Sequence, residues 1–353
     1  MKVLIDIGHP AHVHFYKNTI KELEAKGHEV LVTARDKDVA INLLKAYNIN
    51  FIPVGKIGDS KLGLIGEWIS RDYEIFKISR KFKPDLLMGM LNPCAAHSAK
   101  LLGKKCFVFN DSEVVNSTAL ITYPFANIIF TPSNYGKDIG KKQVRINGYK
   151  ELAYLHPNHY TPDHTIFDDL DIDRQDKYVV MRFVAWKAGH DIKRKGFDLA
   201  TKIKFVKELE KHAKVFISSE TELESELEDY RITIPSENMH DFLYYAHMLV
   251  GDSQTMTTEA AVLGTPAVRC NSFVGEDDMA NFIELENKYG LIFNYTDSEK
   301  ALEKAVDIVK NDNIKAEWKV KREGLLKDKV DVSAFMVDFI DNYQEINSKG
   351  EYK

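Results

Sequence analysis

Four hydroxyls and a carboxylate crowd seven residues of the second half of the chain: Ser253, Thr255, Thr257, Thr258 and Glu259, with Gln254 among them. They follow a short apolar run, Met248-Leu249-Val250, and a polar turn, Gly251-Asp252-Ser253, and they precede Gly264 and Pro266. That pattern predicts a buried strand, a helix over about 255–263 that Gly264 ends, and a second apolar strand over 267–270. In an open parallel sheet, ligands bind beyond the carboxyl ends of the strands. The hydroxyls of this turn and the unpaired amides of the helix start suit an anion, and Glu259 suits the two hydroxyls of a ribose. The alternative is an ordinary helix start, with a Thr cap and Glu259 completing a capping box.

Three further clusters carry groups that do chemistry. The stretch GHPAHVHF (8–15) sets His9, His12 and His14 after the first apolar run. A metal site would need further His, Lys and Asp ligands at later strand ends, which the chain lacks, so no metal is expected. Two readings stay open there: imidazoles that pack or cap a turn shaped by Gly8 and Pro10, and one imidazole acting as a base near neutral pH. The stretch FVFNDSEVVN (107–116) ends a buried run with Asn110, Asp111 and Glu113. These acids either face the same crevice as the histidine loop or cap a helix. The third cluster, Arg182 with Lys187 and His190 in RFVAWKAGHDIKRKGF, is a cationic loop that suits a diphosphate or is merely solvated. Glu276 and Asp277, with Asp278, precede a helix start, where acids are favoured by the dipole.

Alternating elements must position these groups. Strands are expected at 2–7, 30–33, 50–54, 86–91, 105–109 and 127–131, with helix-length segments between them. This alternation implies a parallel sheet. A second alternation starts at 178–183 and runs through strands at 214–218, 231–234, 248–250, 267–270 and 291–295. Residues 149–176 have two prolines, many acids and no period, as a hinge segment would. The expected organisation is a first Rossmann-like domain over 1–150, a linker over 151–176, a second domain over 177–330, and a terminal helix within 331–353. No GxGxxG follows the first strand, so a dinucleotide site of that type is not expected.

Composition narrows the function classes. With 48 Lys plus Arg against 53 Asp plus Glu, the net charge of −5 gives no basic excess for nucleic acid. The three cysteines are odd in number and lie in apolar runs, which fits reduced core residues of a cytoplasmic protein. No window approaches the ~18 apolar residues of a membrane span, although peripheral membrane contact is compatible with the sequence. The start MKVLIDIGHP reads as a strand.

The segment DSQTMTTEAAVLGTPA resembles the nucleotide-sugar-binding segment of GT-B glycosyltransferases, in particular the GlcNAc transferase that makes lipid II and the non-hydrolysing UDP-GlcNAc 2-epimerases. The whole chain resembles the largely archaeal, glycosyltransferase-like DUF354 family. The resemblance implies a GT-B-like α/β fold, two doubly wound parallel-sheet domains facing across a cleft. It also implies a nucleotide-sugar donor, UDP-linked, with no cofactor and no metal. Ser253, Gln254, Thr255 and Thr258 would hold the diphosphate with Arg182, Lys187 and His190, and Glu259 would hold the ribose. Glu276 and Asp277 would meet the sugar. His-Val-His-Phe resembles the Gly-Gly-His-Val-Phe-Pro loop of the lipid II-forming enzyme, which makes His12 the base, oriented by Asp111 or Glu113. Here Pro10-Ala11 replaces the diglycine. The acceptor would be a glycan, a lipid or a small molecule. The rival readings are a UDP-sugar epimerase or hydrolase, in which Asp111, Glu113 and His190 matter more, and a non-catalytic nucleotide-sugar-binding protein.

Overall fold

The computed structural model describes all residues except 37–38, 57–60, 169, 171, 185–196, 220–221, 276–277 and 350–353, and the side chains of 56, 61–65, 67, 344 and 346–349. The chain divides into two compact units, Met1–His159 with Lys329–Lys353, and Tyr160–Asp328.

The first unit alternates strands and helices: β1 (Lys2–Ile7), α1 (Pro10–Ala25), β2 (Glu29–Asp36), α2 (Ala40–Ala46), β3 (Phe51–Lys56), α3 (Lys61–Phe82), β4 (Leu86–Met90), α4 (Pro93–Leu102), β5 (Lys105–Phe109), α5 (Asn116–Thr122), β6 (Ile128–Pro132), β7 (Gln143–Ile146) and α6 (Leu152–Leu155). All its strand pairings are parallel, in the order β3-β2-β1-β4-β5-β6-β7. Strand order reverses between β1 and β4, so the loops after these two strands diverge and leave a crevice. The edge strand β7, QVRI, is an addition to the sequence expectation; its Gln and Arg interrupt the apolar run that marks buried strands. Helix α1 packs against α2 and α6, and α4 packs against α3 and α5.

The second unit contains β8 (Tyr178–Phe183), α7 (Leu199–Leu209), β9 (Lys214–Ser219), α8 (Met239–Tyr245), β10 (Met248–Gly251), α9 (Gln254–Leu263), β11 (Ala267–Cys270), α10 (Ala280–Asn287), β12 (Ile292–Tyr295), α11 (Ser298–Lys310) and α12 (Ile314–Asp328). Its sheet is also parallel, in the order β12-β11-β10-β8-β9. Here the order reverses between β8 and β10. The strand expected over 231–234 is a single bridge, Arg231 to Ile217. Helices α8, α9, α10 and α12 pack together, and α7 packs with α11.

The last helix, α13 (Val332–Lys349), belongs to the first unit. Phe339 packs edge-on against Phe107 of β5 and Phe130 of β6, and Ser333 Oγ donates to Ala153 O at 2.9 Å. Cys94, Cys106 and Cys270 are buried and unpaired. No helix among the described residues is long and apolar enough to cross a membrane.

Candidate functional site

In the second unit the crevice lies between β8 and β10, where Gly251 sits opposite Arg182. A Cβ on Gly251 would lie 2.1 Å from the Arg182 carbonyl oxygen, so the close approach of these strands requires glycine. The chain then turns through Asp252 and Ser253 into α9. Ser253 is the N-cap, its Oγ accepting from the Met256 amide at 3.3 Å. The helix starts at Gln254, a residue earlier than expected, and Glu259 lies beyond the reach of a capping box.

The predicted phosphate-binding residues do not all face outward. Thr257 Oγ1 donates back to Ser253 O at 2.6 Å, and Thr258 Oγ1 donates to Gln254 O at 3.4 Å. Both threonines are buried, and Thr258 Oγ1 also accepts from Asn281 Nδ2 at 3.3 Å. Gln254 and Thr255 are half-buried and carry the amides that helix geometry leaves without an intrahelical acceptor. They are the part of the motif best suited to an anion. Arg182, at the end of β8, donates from Nη1 to Ser218 Oγ at 2.8 Å, which turns its guanidinium toward β9.

Glu259 is 5% exposed, and its Oε1 lies 3.1 Å from Nε2 of His240 on α8, itself 4% exposed. The sequence offered no signal for this partner, because His240 lies 19 positions upstream on another helix. Lys187, His190, Glu276 and Asp277 lie outside the described residues. The third acid of that run, Asp278, pairs with the buried Arg269, which also donates from Nε to Asn294 Oδ1 at 2.8 Å and stacks 3.6 Å from the Phe282 ring centroid. Burial pushes the Asp278 carboxyl up while Arg269 pulls it down.

In the first unit, His9 is the N-cap of α1, its Nδ1 accepting from the Ala11 amide at 3.2 Å. The Gly8 amide donates to His12 Nδ1 at 3.3 Å. A backbone N–H only donates, so Nδ1 is the unprotonated nitrogen and Nε2 carries the ring proton in this geometry. His14 is buried, stacked on Tyr154 and 3.2 Å from Tyr47 Oη. Asp111 accepts from Lys150 Nζ at 2.6 Å, and Glu113 Oε1 accepts from the Gly136 amide at 3.1 Å. Asn110 donates from Nδ2 to the hydroxyls of Tyr123 and Tyr135 at 2.7 and 3.0 Å.

Sequence reasoning missed the acid at the reversal point of this first sheet. Asp6 on β1 is fully buried and accepts from Thr33 Oγ1 at 2.7 Å, Arg71 Nη2 at 2.7 Å and Asn92 Nδ2 at 2.5 Å. Asn92 is at the same time the N-cap of α4, accepting from Ala95 N at 3.1 Å. A single aspartate inside an apolar strand, KVLIDI, was the available signal. Among the described residues, no group of three or more His, Cys, Asp or Glu side chains is arranged to hold a metal ion.

A family model described as protein of unknown function (DUF354) matches residues 1–345. The chain belongs to the DUF354 family. An uncharacterized protein of Methanocaldococcus jannaschii is 27% identical over 292 residues, covering 76% of this chain and 82% of that protein. Among solved structures, a putative UDP-N-acetylglucosamine 2-epimerase from Listeria monocytogenes superposes with a TM-score of 0.70 at 13% identity, covering 98% of this chain and 96% of that one. A glycosyltransferase of Streptomyces sp. SF2575, complexed with thymidine diphosphate, superposes with a TM-score of 0.63 at 14% identity, covering 97% and 99%. This DUF354 protein therefore has a GT-B-like fold of two parallel-sheet α/β domains.

Proposed function

We propose that the chain is a GT-B-type glycosyltransferase that takes a nucleotide sugar, UDP-linked, as its donor. The observation that carries this reading is the start of α9 at the strand-order reversal of the second sheet, where the Gln254 and Thr255 amides follow a capped turn beside Arg182. A diphosphate there meets the positive end of a helix dipole, and the Arg182 guanidinium would reach it on release from Ser218. In this reading Glu259 accepts from the ribose hydroxyls, Lys187 and His190 add cations, and Glu276 and Asp277 contact the sugar. The amides and cations stabilise charge on the departing diphosphate without a metal or cofactor. The first unit holds the acceptor, a glycan, lipid or small molecule, and His12 takes its proton. For that step the Nδ1 lone pair must exchange the Gly8 amide for the acceptor hydroxyl.

The test combines isothermal titration of UDP-sugars with turnover assays run with and without candidate acceptors. A transferase binds donor and consumes little of it alone. Rapid donor consumption without any acceptor would replace this reading with an epimerase or hydrolase in which Asp111, Glu113 and His190 matter more. Binding with no turnover under any condition would leave a nucleotide-sugar-binding protein.

A further inference from the structure

Strands β8, β10 and β11 end side by side at the carboxyl edge of the second sheet, and one residue touches the first residue beyond β8 and the first beyond β11 while itself following β10. Asp252 is 2% exposed. Its amide donates to Arg182 O at 3.2 Å, and its Oδ1 accepts from the amide of Val184, the first residue beyond β8, at 2.9 Å. Its carbonyl accepts from Nδ2 of Asn271, the first residue beyond β11, at 3.0 Å. Asn271 is 4% exposed, and its Oδ1 accepts from the Phe273 amide at 2.9 Å. The residue after Asp252 is Ser253, the N-cap of α9.

One buried carboxylate and one buried carboxamide therefore set three directions together: the exit from β8, the first amides of α9, and the exit from β11. Burying a carboxylate is costly unless donors are aimed at it. A preformed anion site gains from such fixed dipoles, because a ligand then orders less of the chain on binding.

We propose that Asp252, acting through Val184 and Asn271, is the positioning residue of a nucleoside-diphosphate site in this unit. Its side chain holds Val184, and its carbonyl holds Asn271, in register with the α9 amides, and it does not itself bind the ligand. The inference rests on the reading of α9 as the diphosphate site.

The experiment uses the full chain with UDP and thymidine diphosphate as probes, and the variants Asp252→Ala, Asp252→Asn and Asn271→Asp. Asparagine keeps an oxygen that accepts from Val184, so Asp252→Asn should bind within about threefold of wild type, a fraction of a kcal/mol. Asp252→Ala should weaken binding about 10–100-fold, the scale of a lost charge-assisted bond. Asn271→Asp loses its donor and sets a carboxylate against the Asp252 carbonyl, so it should weaken binding similarly. Hydrogen exchange without ligand reads the contact directly: the Val184 amide, which loses its acceptor, should exchange faster in Asp252→Ala and not in Asp252→Asn. A merely structural role would lower the melting temperature of Asp252→Ala while its folded fraction kept wild-type affinity. That result, equal losses in the Ala and Asn variants, or unchanged exchange at Val184 would each overturn the proposal. Wild type binding neither nucleotide would overturn the diphosphate-site reading and the ligand role with it, whereas the exchange pattern judges the loop clasp on its own.

Discussion

The carboxylate of Glu259 and the imidazole of His240 meet at 3.1 Å, both nearly inaccessible to water. A ribose-binding carboxylate need not be so enclosed. The contact from His240 on α8 fixes the orientation of the Glu259 carboxylate.

This pairing changes what mutation of Glu259 should do. Removal of the carboxylate takes an acceptor from a buried imidazole, so Glu259→Ala should destabilise the protein by about 1–3 kcal/mol. Glu259→Gln keeps the shape and one acceptor oxygen and should unfold within about 1 kcal/mol of wild type in urea. If Glu259 holds a ribose, the Gln variant should still bind UDP-sugars about 10-fold or more weakly, since a charged acceptor is lost. Titration showing wild-type affinity in Glu259→Gln would remove the ribose role, and equal urea midpoints for Ala and wild type would deny the His240 contribution.

His12 can be separated from its structural contact. Its Nδ1 caps the Gly8 amide, and asparagine places an oxygen near the same position. His12→Asn should therefore fold as wild type does and keep donor affinity within about twofold. If the imidazole moves the acceptor proton, turnover should fall about 10²–10⁴-fold in both His12→Asn and His12→Ala. Turnover retained in His12→Asn would mean that the ring serves the loop and not the reaction.

The fold was legible because its signals are local. Short apolar runs such as KVLIDI and KCFVF bounded by capped helices mark buried parallel strands. The turn Gly251-Asp252-Ser253 and Gly264, which ends α9 at φ 79°, mark a strand–helix unit with equal clarity. Partnerships were not legible. Thr257 and Thr258 looked like outward hydroxyls, yet helical geometry places both over carbonyls four residues back. His240 with Glu259, and Asp6 with Arg71 and Asn92, join residues 19, 65 and 86 positions apart. Only packed elements bring such pairs together, and no spacing rule records them.

Two glycines should respond oppositely to alanine. At Gly251 the added Cβ would meet the Arg182 carbonyl at 2.1 Å, within the sheet at the heart of the second unit. The strands must separate to admit it, so Gly251→Ala should cost about 1–3 kcal/mol or prevent folding of that unit. Gly324 lies exposed in α12, and a Cβ added there would meet nothing within 4 Å. Gly324→Ala should stabilise by about 0.5–1 kcal/mol through helix propensity. Urea midpoints decide both, and a tolerated Gly251→Ala would mean that β8 and β10 do not approach as closely as described.

The start of α13 carries a pH-dependent clasp. Asp331 accepts from the Ala334 amide at 3.0 Å and from Asn158 Nδ2 at 2.9 Å, and its two oxygens lie 2.9 and 2.8 Å from His159 Nε2. Glu22 of α1 lies 3.5 Å from the same nitrogen, and His156 lies 3.7 Å from Asp331. The hydrogen bond to Asp331 raises the His159 pKa above its ordinary value, against burial and against Lys17. Burial alone would raise Asp331, but its hydrogen bonds prevail and hold it at about 2. For the raised histidine, stabilisation is fully present below its unfolded pKa of about 6.5 and is lost as pH rises through the folded value. For the depressed aspartate, it is present above an unfolded pKa of about 3.9 and lost as pH falls toward 2. The clasp should therefore contribute most between about pH 4 and 6.5. Because the site is partly solvated, the contribution should be modest, about 1 kcal/mol. Wild type should lose about that much more stability than His159→Gln between pH 5.5 and 8.5, measured by urea unfolding at each pH. Parallel pH profiles for the two proteins would show that His159 does not carry this linkage, whatever other histidines titrate in the same range.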